Sequence, residues 1–477
     1  MIPLRLSEIA AVVGGELHGA DTLVSAPAFV DSRLVEQGGL FVAIAGEHVD
    51  GHTYAAGAVA AGAAGVLGSR ATDAPTVVVP DPVAALGKLA RHVRDALPGM
   101  TVLALTGSQG KTGTKDFLTQ VLSAAGETVA TAGNFNNEIG VPLTVLRAVP
   151  STRFLVVEMG ARGLGHIAYL CEIARPDIAA VINVGTAHLG EFGSREAIAQ
   201  AKGEIIEGLA PDGVAVLNAD DPLVAAMAPR TQAPVIWWGA GQSGARIAGT
   251  VGTGPVELDE LGRPAAGFAL AASAGGPVTT ARVQLLEIGA HQVLNAAAAA
   301  AMALGAGVDA ATILTALEQA RSLSRWRMEV HDRSDGVTVI NDAYNANPDS
   351  MRAALDALGG IGDRTGRRTI AVLSEMRELG PDAAAAHEGV GAYAATVGVD
   401  VLLVIGEAAA PMLEGAGNVT SWSGTAVSAA DRASALAWLR ENCRNEAVAD
   451  RGGAVVLIKA SRGAALELVA EGLLEEE

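Results

Sequence analysis

The stretch "TVLALTGSQGKTGTKDFL", residues 101–118, constrains this chain more than any other. An apolar run passes directly into two glycines, a lysine and a threonine, and then into a helix-forming pattern. Such a strand, tight loop and helix belong in an α/β layer, where a parallel sheet supports the loop. Gly107 and Gly110 let backbone N–H groups approach phosphate oxygens, and the following helix presents the positive end of its dipole. Lys111 offers a point charge to the terminal phosphates, and the Thr112 hydroxyl offers a magnesium ligand. The common pattern G-x-x-x-x-G-K-[ST] wants glycine where this chain has Leu105, so a plain glycine-rich helix cap stays open as the alternative.

A chain of 477 residues is too long for one ordinary core. Three segments separate on pattern. Residues 1–99 mix short apolar runs ("LFVAIAG", "TVVVP") with glycine and proline turns, a small mixed α/β domain. Residues 100–328 alternate strands with helices, the signature of a parallel, doubly wound sheet; the strands are "TVLALTG", "RFLVVEMG", "DIAAVINVG", "GVAVLNAD" and "PVIWWGA". A glycine-rich, more β-like insert spans roughly 240–288, before the helix beginning near "AHQVLNAAAAAAMAL". Residues 329–477 start over as a second, Rossmann-like α/β domain, with strands in "VTVINDAY", "RRTIAVLSEM", "VDVLLVIG" and "GAVVLIKAS".

Thirty-three basic against 52 acidic residues, a net charge of −19, argue against nucleic acid as a partner, since a phosphate backbone needs a positive face. Two distant cysteines, Cys171 and Cys443, fit neither a disulfide framework nor a metal knuckle. The sequence shows no cleavable leader and no run of about 20 strongly apolar residues. A cytoplasmic protein without membrane insertion is expected, and a monomer, because no long apolar stripe is left over.

Ligands of open parallel sheets gather at the carboxyl ends of the strands. There the chain places Thr106, Gly107, Ser108, Gln109, Gly110, Lys111 and Thr112 after the first strand of the middle domain, and Glu158 after "FLVV". Glu158 stands where a magnesium-binding acid belongs, although a surface glutamate ending a strand would look the same. After "AAVINVG" comes His188, by itself more often a structural residue. Lys202, in "REAIAQAKGEIIEGL", has Ile198, Ile205 and Ile206 as its helix neighbours. An apolar, electropositive pocket would lower its pKa toward the neutral amine, which can take up carbon dioxide and become an oxygen ligand. A lysine snorkelling to solvent is the ordinary alternative.

Taken together these residues resemble the Mur ligase family, which uses a shorter loop, TGxxGKT; Leu105 is then no defect. Folylpolyglutamate synthases and cyanophycin synthetases share much of that core. Four further stretches are similar to the branch that adds D-alanyl-D-alanine to UDP-N-acetylmuramoyl-tripeptide: "NFNNEIGVPLT" (134–144), "AHLGEFGSREAIAQAKGEI" (187–205), "NDAYNANPDSM" (341–351) and "LSEMRELG" (373–380). "DSR" at 31–33 and "GGLFVAIAGEHVDGHTY" at 38–54 resemble its uridine-binding domain, and the likeness runs from near residue 7 to about 467.

The resemblance implies a role for each position. Lys111 and Thr112 would hold ATP phosphate and a first magnesium with Glu158; His188 and a carbamylated Lys202 would serve a second ion. Asn295 would contact adenine, Arg327 the phosphates and Asp342 the ribose. Asn136 and Asn137 would approach the muramoyl peptide, and Asp31, Ser32 and Arg33 the uridine. Domain 329–477 would close on ATP and the incoming dipeptide. Gln292, Glu375 and Ala460 depart from the family's usual asparagine, aspartate and glycine. His387 and Glu375 are candidates for the base that deprotonates the incoming amine, with His387 favoured slightly as a helix-surface residue. The implied reaction is ATP-dependent amide formation through an acyl phosphate. A folate-type ligase acting on another acid and a non-catalytic nucleotide-binding protein are the rivals.

Overall fold

The computed structural model describes every residue except 47–48, 186–191, 241–249, 272–276, 378, 444–447, 449–450 and 476–477. Two compact units emerge: Met1–Pro255 with Ala266–Val283 and Val293–Ala320, and Val256–Ala265 with Gln284–Gln292 and Arg321–Glu477.

The first unit opens with a five-stranded sheet in the order Glu16–His18, Thr76–Val78, Gly65–Gly68, Leu40–Val42, Ala28–Phe29. The first pair is antiparallel and the rest are parallel. Helix Pro82–Ala96 then leads to the central layer. Proline stands at its first position, and the Asp81 carboxylate accepts from the Val83 and Ala84 N–H groups, so its start is fixed locally. Its Arg94 reaches the Asp177 carboxylate at 2.9 Å and its Arg91 donates to the Glu172 carbonyl at 2.5 Å, which ties the helix to the layer beyond.

The parallel part of the ten-stranded central sheet runs Thr250–Thr253, Val235–Gly239, Val214–Asn218, Ile178–Val181, Thr101–Thr106, Phe154–Glu158, Thr128–Ala130. Thr101–Thr106 is first in sequence yet lies inside the sheet. The chain fills positions on one side of it before crossing to the other. This reversal of order opens a crevice at the strand ends, the place where such sheets bind ligands. The strand is buried from Val102 to Thr106, as helices on both faces require. One of those helices, Gln292–Gly305, carries Ala296 to Ala301 with no exposure at all. Alanine there lets the helix lie close to the sheet, which explains a run that gains little from transfer energy alone. The β-like insert is present, with Thr250–Thr253 antiparallel to the far end of Pro264–Ala271.

In the second unit a six-stranded sheet runs Glu329–Asp332, Val337–Asp342, Ala454–Lys459, Arg368–Leu373, Val401–Ile405, Thr425–Ala429, with only the first pair antiparallel. Its two outermost strands were not legible as strands. Both are edges, and an edge facing water carries polar residues that hide the apolar pattern.

Candidate nucleotide and acid site at the strand ends

The loop after Thr106 turns sharply into helix Lys111–Ser123, with Gly110 as its N-cap at φ +78°. A side chain at Gly110 would be strained by that angle and would collide with Asn295 Oδ1, so Asn295 sits against the loop. Gly107 is confined as well, since a Cβ there would lie 2.9 Å from Ile182 Cβ. Lys111 folds over the loop and donates to the Gly107 carbonyl at 2.8 Å.

Beside the loop, the Thr112 hydroxyl donates to Glu158 Oε2 at 3.2 Å, and Asn136 Nδ2 donates to Oε1 at 2.9 Å. Glu158 is only 2% exposed, and its backbone N–H is held by the Thr131 hydroxyl at 3.0 Å. A carboxylate so deeply placed and so oriented is no surface residue ending a strand. Asn136 and Asn137 do different things. While Asn136 orients Glu158, Asn137 Oδ1 accepts from the Ile139 and Gly140 N–H groups at the start of helix Gly140–Val145.

Helix Arg195–Glu207 begins at Ser194, whose hydroxyl accepts from the Ala197 N–H. Its Lys202 is 4% exposed among buried Ile198, Ile205 and Ile206. A lysine reaching out to solvent is thereby ruled out. Burial, and then the nearby Lys111 charge, push its pKa down to about 7. Thr106 and Ser108 are buried, and Gln109 is exposed. His188 lies outside the described residues.

In the amino-terminal sheet domain, Arg33 donates to Asp31 through Nη2 at 2.6 Å and Nε at 2.9 Å, with Ser32 between them. The guanidinium holds the Asp31 carboxyl at about 2. In the second unit, Arg327 lies 4.2 Å above the Tyr344 ring. Asp342 accepts from Lys459 Nζ at 2.5 Å and from the Met328 N–H at 3.2 Å, which puts it one residue from Arg327 along the chain's contacts. Trp326 and Met328 have φ of +60° and +51°, so this short segment is held in a strained form on both sides of Arg327.

Residues 29–94 match the description "Mur ligase family, catalytic domain", residues 105–303 "Mur ligase middle domain", and residues 326–462 "Mur ligase, glutamate ligase domain". A UDP-N-acetylmuramoyl-tripeptide–D-alanyl-D-alanine ligase from Mycobacterium tuberculosis (strain ATCC 25618 / H37Rv) is 46% identical, over 100% of this chain and 99% of its own. The chain belongs to the Mur ligase family. The ligase of the same name from Escherichia coli (strain K12) is 34% identical over 100% of this chain and 99% of its own. A crystal structure of MurF from Acinetobacter baumannii superposes with a TM-score of 0.86 at 32% identity, covering 99% of each chain. MurF ligase from Thermotoga maritima, solved in complex with ADP, gives 0.74 at 30%, covering 95% of this chain and 98% of that one.

Three residues of this Mur ligase escaped the sequence reading. Asn183, inside the quoted "AAVINVG", bonds Gln109 of the glycine-rich loop; its position after a strand was the available signal. Glu204 is buried two residues past Lys202, and its oxygens accept from the Gly165 N–H at 2.6 Å and the Ala168 N–H at 3.0 Å, capping helix His166–Ala174 from outside. No spacing rule pairs residues that far apart. Lys459, inside the quoted "GAVVLIKAS", donates to the carboxylate of Asp342, 117 residues away on the neighbouring strand, which no local pattern shows. His387 corrects the expectation of a helix-surface residue. It is 2% exposed, with Nε2 accepting from the Met376 N–H at 2.8 Å and Nδ1 2.7 Å from the Ala383 carbonyl. Both ring nitrogens are occupied by backbone, so it braces a loop. Glu375 pairs with Arg377 at 2.5 Å.

Proposed function

We infer that this Mur ligase joins D-alanyl-D-alanine to UDP-N-acetylmuramoyl-tripeptide with ATP, giving UDP-N-acetylmuramoyl-pentapeptide, ADP and phosphate for peptidoglycan synthesis. The observation that carries the reading is full-length identity of 46% to a ligase of that name. The folate-type and non-catalytic rivals have no such support, and a decayed enzyme has no reason to keep Lys111, Thr112, Glu158 and Lys202 together.

Magnesium suits the donors present. Glu158 and Thr112 offer hard oxygens on adjoining elements, and nucleotide-site magnesium takes one or two protein oxygens and fills the rest with phosphate and water. Glu158 and Thr112 would hold one ion, and His188 with a carbamylated Lys202 a second. When bound, the ions neutralise charge spreading over the phosphoryl oxygens. Lys202, about half neutral near pH 7, is an amine able to attack carbon dioxide, releasing a proton as the carbamate forms.

The tripeptide's terminal carboxylate oxygen takes the γ-phosphoryl group and ADP leaves. Lys111 turns from the Gly107 carbonyl to the phosphoryl oxygens, and the helix that it begins points its positive end at them. The amine of D-alanyl-D-alanine then attacks the acyl carbon, the C–O bond breaks, phosphate departs and a proton is lost from nitrogen. Asn295 is assigned to adenine, Arg327 to phosphate, Asp342 to ribose, Asn136 and Asn137 to the muramoyl peptide, and Asp31, Ser32 and Arg33 to uridine. The domains are assigned as 1–99 for the nucleotide sugar, 100–328 for ATP and 329–477 for closure, which keeps water from the acyl phosphate. Cytoplasmic action as a monomer completes the proposal; among the described residues no helix is long and apolar enough to cross a membrane.

Magnesium-dependent phosphate release, measured with the two acceptors separately and together, tests this. Release only with both, and pentapeptide by mass, is expected. Release that instead requires another acid and amine would keep the ATP chemistry and overturn the substrate.

A further inference from the structure

The sheet register sets Val181 beside Thr106, so the residues two further on, Asn183 and Ser108, also meet. The Ser108 N–H donates to the Asn183 carbonyl at 3.1 Å and to its Oδ1 at 3.0 Å. The Gln109 N–H donates to the same Oδ1 at 2.9 Å, and Asn183 Nδ2 donates back to the Gln109 carbonyl at 3.1 Å. The Gly185 N–H closes the set, donating to the Ser108 hydroxyl at 2.9 Å.

Each bond is ordinary, but together they fix the first limb of the loop and decide which N–H groups remain for phosphate. Those of Ser108 and Gln109 are turned to Asn183. The first N–H groups of helix Lys111–Ser123 have no acceptor inside the helix, as at any helix start. We propose that Asn183 is the positioning residue of the phosphate loop. It holds Ser108 and Gln109 aside, so that the triphosphate is received by the N–H groups of Gly110, Lys111 and Thr112 and by the Lys111 ammonium. It also ties that grip to the residues that follow strand Ile178–Val181, as far as Gly185. Asparagine suits the task because one short side chain accepts two N–H bonds and returns a donor to a carbonyl. Aspartate would lose the donor and bring a negative charge toward the triphosphate.

The inference rests on the ATP reading, and ADP affinity tests it without requiring turnover. Calorimetry with ADP and magnesium, and KM for all three substrates, are measured on the full-length parent, Asn183→Ala and Ser108→Ala. Asn183→Ala is expected to raise the ADP Kd and the ATP KM by about tenfold, with the tripeptide and dipeptide KM values and Tm nearly unchanged. Ser108→Ala, which removes only the Gly185 bond, is expected to weaken ADP by about threefold. Unchanged ADP affinity in Asn183→Ala overturns the proposal, as does a rise in all three KM values together with a fall in Tm, which marks a merely structural role. If Asn183→Ala does not fold, unchanged ADP affinity in Ser108→Ala overturns it instead. A parent that binds ADP but makes no pentapeptide counts against the substrate reading alone.

Discussion

Replacing Lys202 with methionine keeps the length of the side chain and removes its charge. In the folded protein the ammonium is buried beside Lys111 and its pKa falls from 10.5 to about 7. Below pH 7 the group is protonated in both folded and unfolded chains, so its burial cost is constant and at its greatest. Between pH 7 and 10.5 the unfolded chain holds more protons than the folded one, and stability therefore rises with pH. This one group costs the folded state about 4 kcal/mol at pH 7 and about 2 kcal/mol at pH 9. Lys202→Met is thus expected to gain stability over the parent at pH 7, and that gain should shrink by about 2 kcal/mol by pH 9. Urea unfolding of both proteins across this range, in buffers stripped of carbon dioxide and metal, measures the gap. A gap that stays constant would refute the reasoning, because Lys202 would then not be titrating in the window. Adding labelled bicarbonate to the parent at pH 8 should produce a carbamate carbon signal that Lys202→Met lacks.

Glu158→Gln retains the shape that Thr112 and Asn136 hold but loses the charge; turnover should fall by at least about a thousandfold with Tm nearly unchanged, read by phosphate release and thermal melting. Gly110→Ala meets both the positive φ and Asn295, so ADP affinity by calorimetry should be lost while residues 329–477 keep their own unfolding transition. Glu204→Ala removes acceptors from the Gly165 and Ala168 N–H groups at the start of a buried helix and should cost about 2 kcal/mol in urea unfolding. Adding ATP analogue and nucleotide sugar should compact the protein in solution scattering, whereas identical profiles would count against closure of the third domain.

The placement of the candidate loop and carboxylate was written locally. The loop at 106–112 and the carboxylate at 158 follow strands that declare themselves by apolar runs, and a parallel sheet brings successive strand ends to one edge. Those residues could be read because chain position and spatial position coincide there. The alanine-rich helix after Asn295 and the β-like insert were legible for the same reason. The polar edge strands Glu329–Asp332 and Thr425–Ala429 were not, since their pairing comes from neighbours rather than from their own pattern.

The amino-acid sequence by itself determined the α/β layers, the glycine-rich loop between strand and helix, and the family. These rest on short-range periodicity and on motifs complete within a few residues. Tertiary structure alone decided that Lys202 is buried beside a second cation, that His387 is a brace, that Glu204 caps a distant helix and that Asn183 holds the loop. For Lys202, Glu204 and Asn183 the deciding partner lies far along the chain, and only the register of a sheet or the packing of a helix brings it within hydrogen-bonding or Coulomb range; for His387 it is the fold of the preceding loop that brings the Met376 N–H onto the ring.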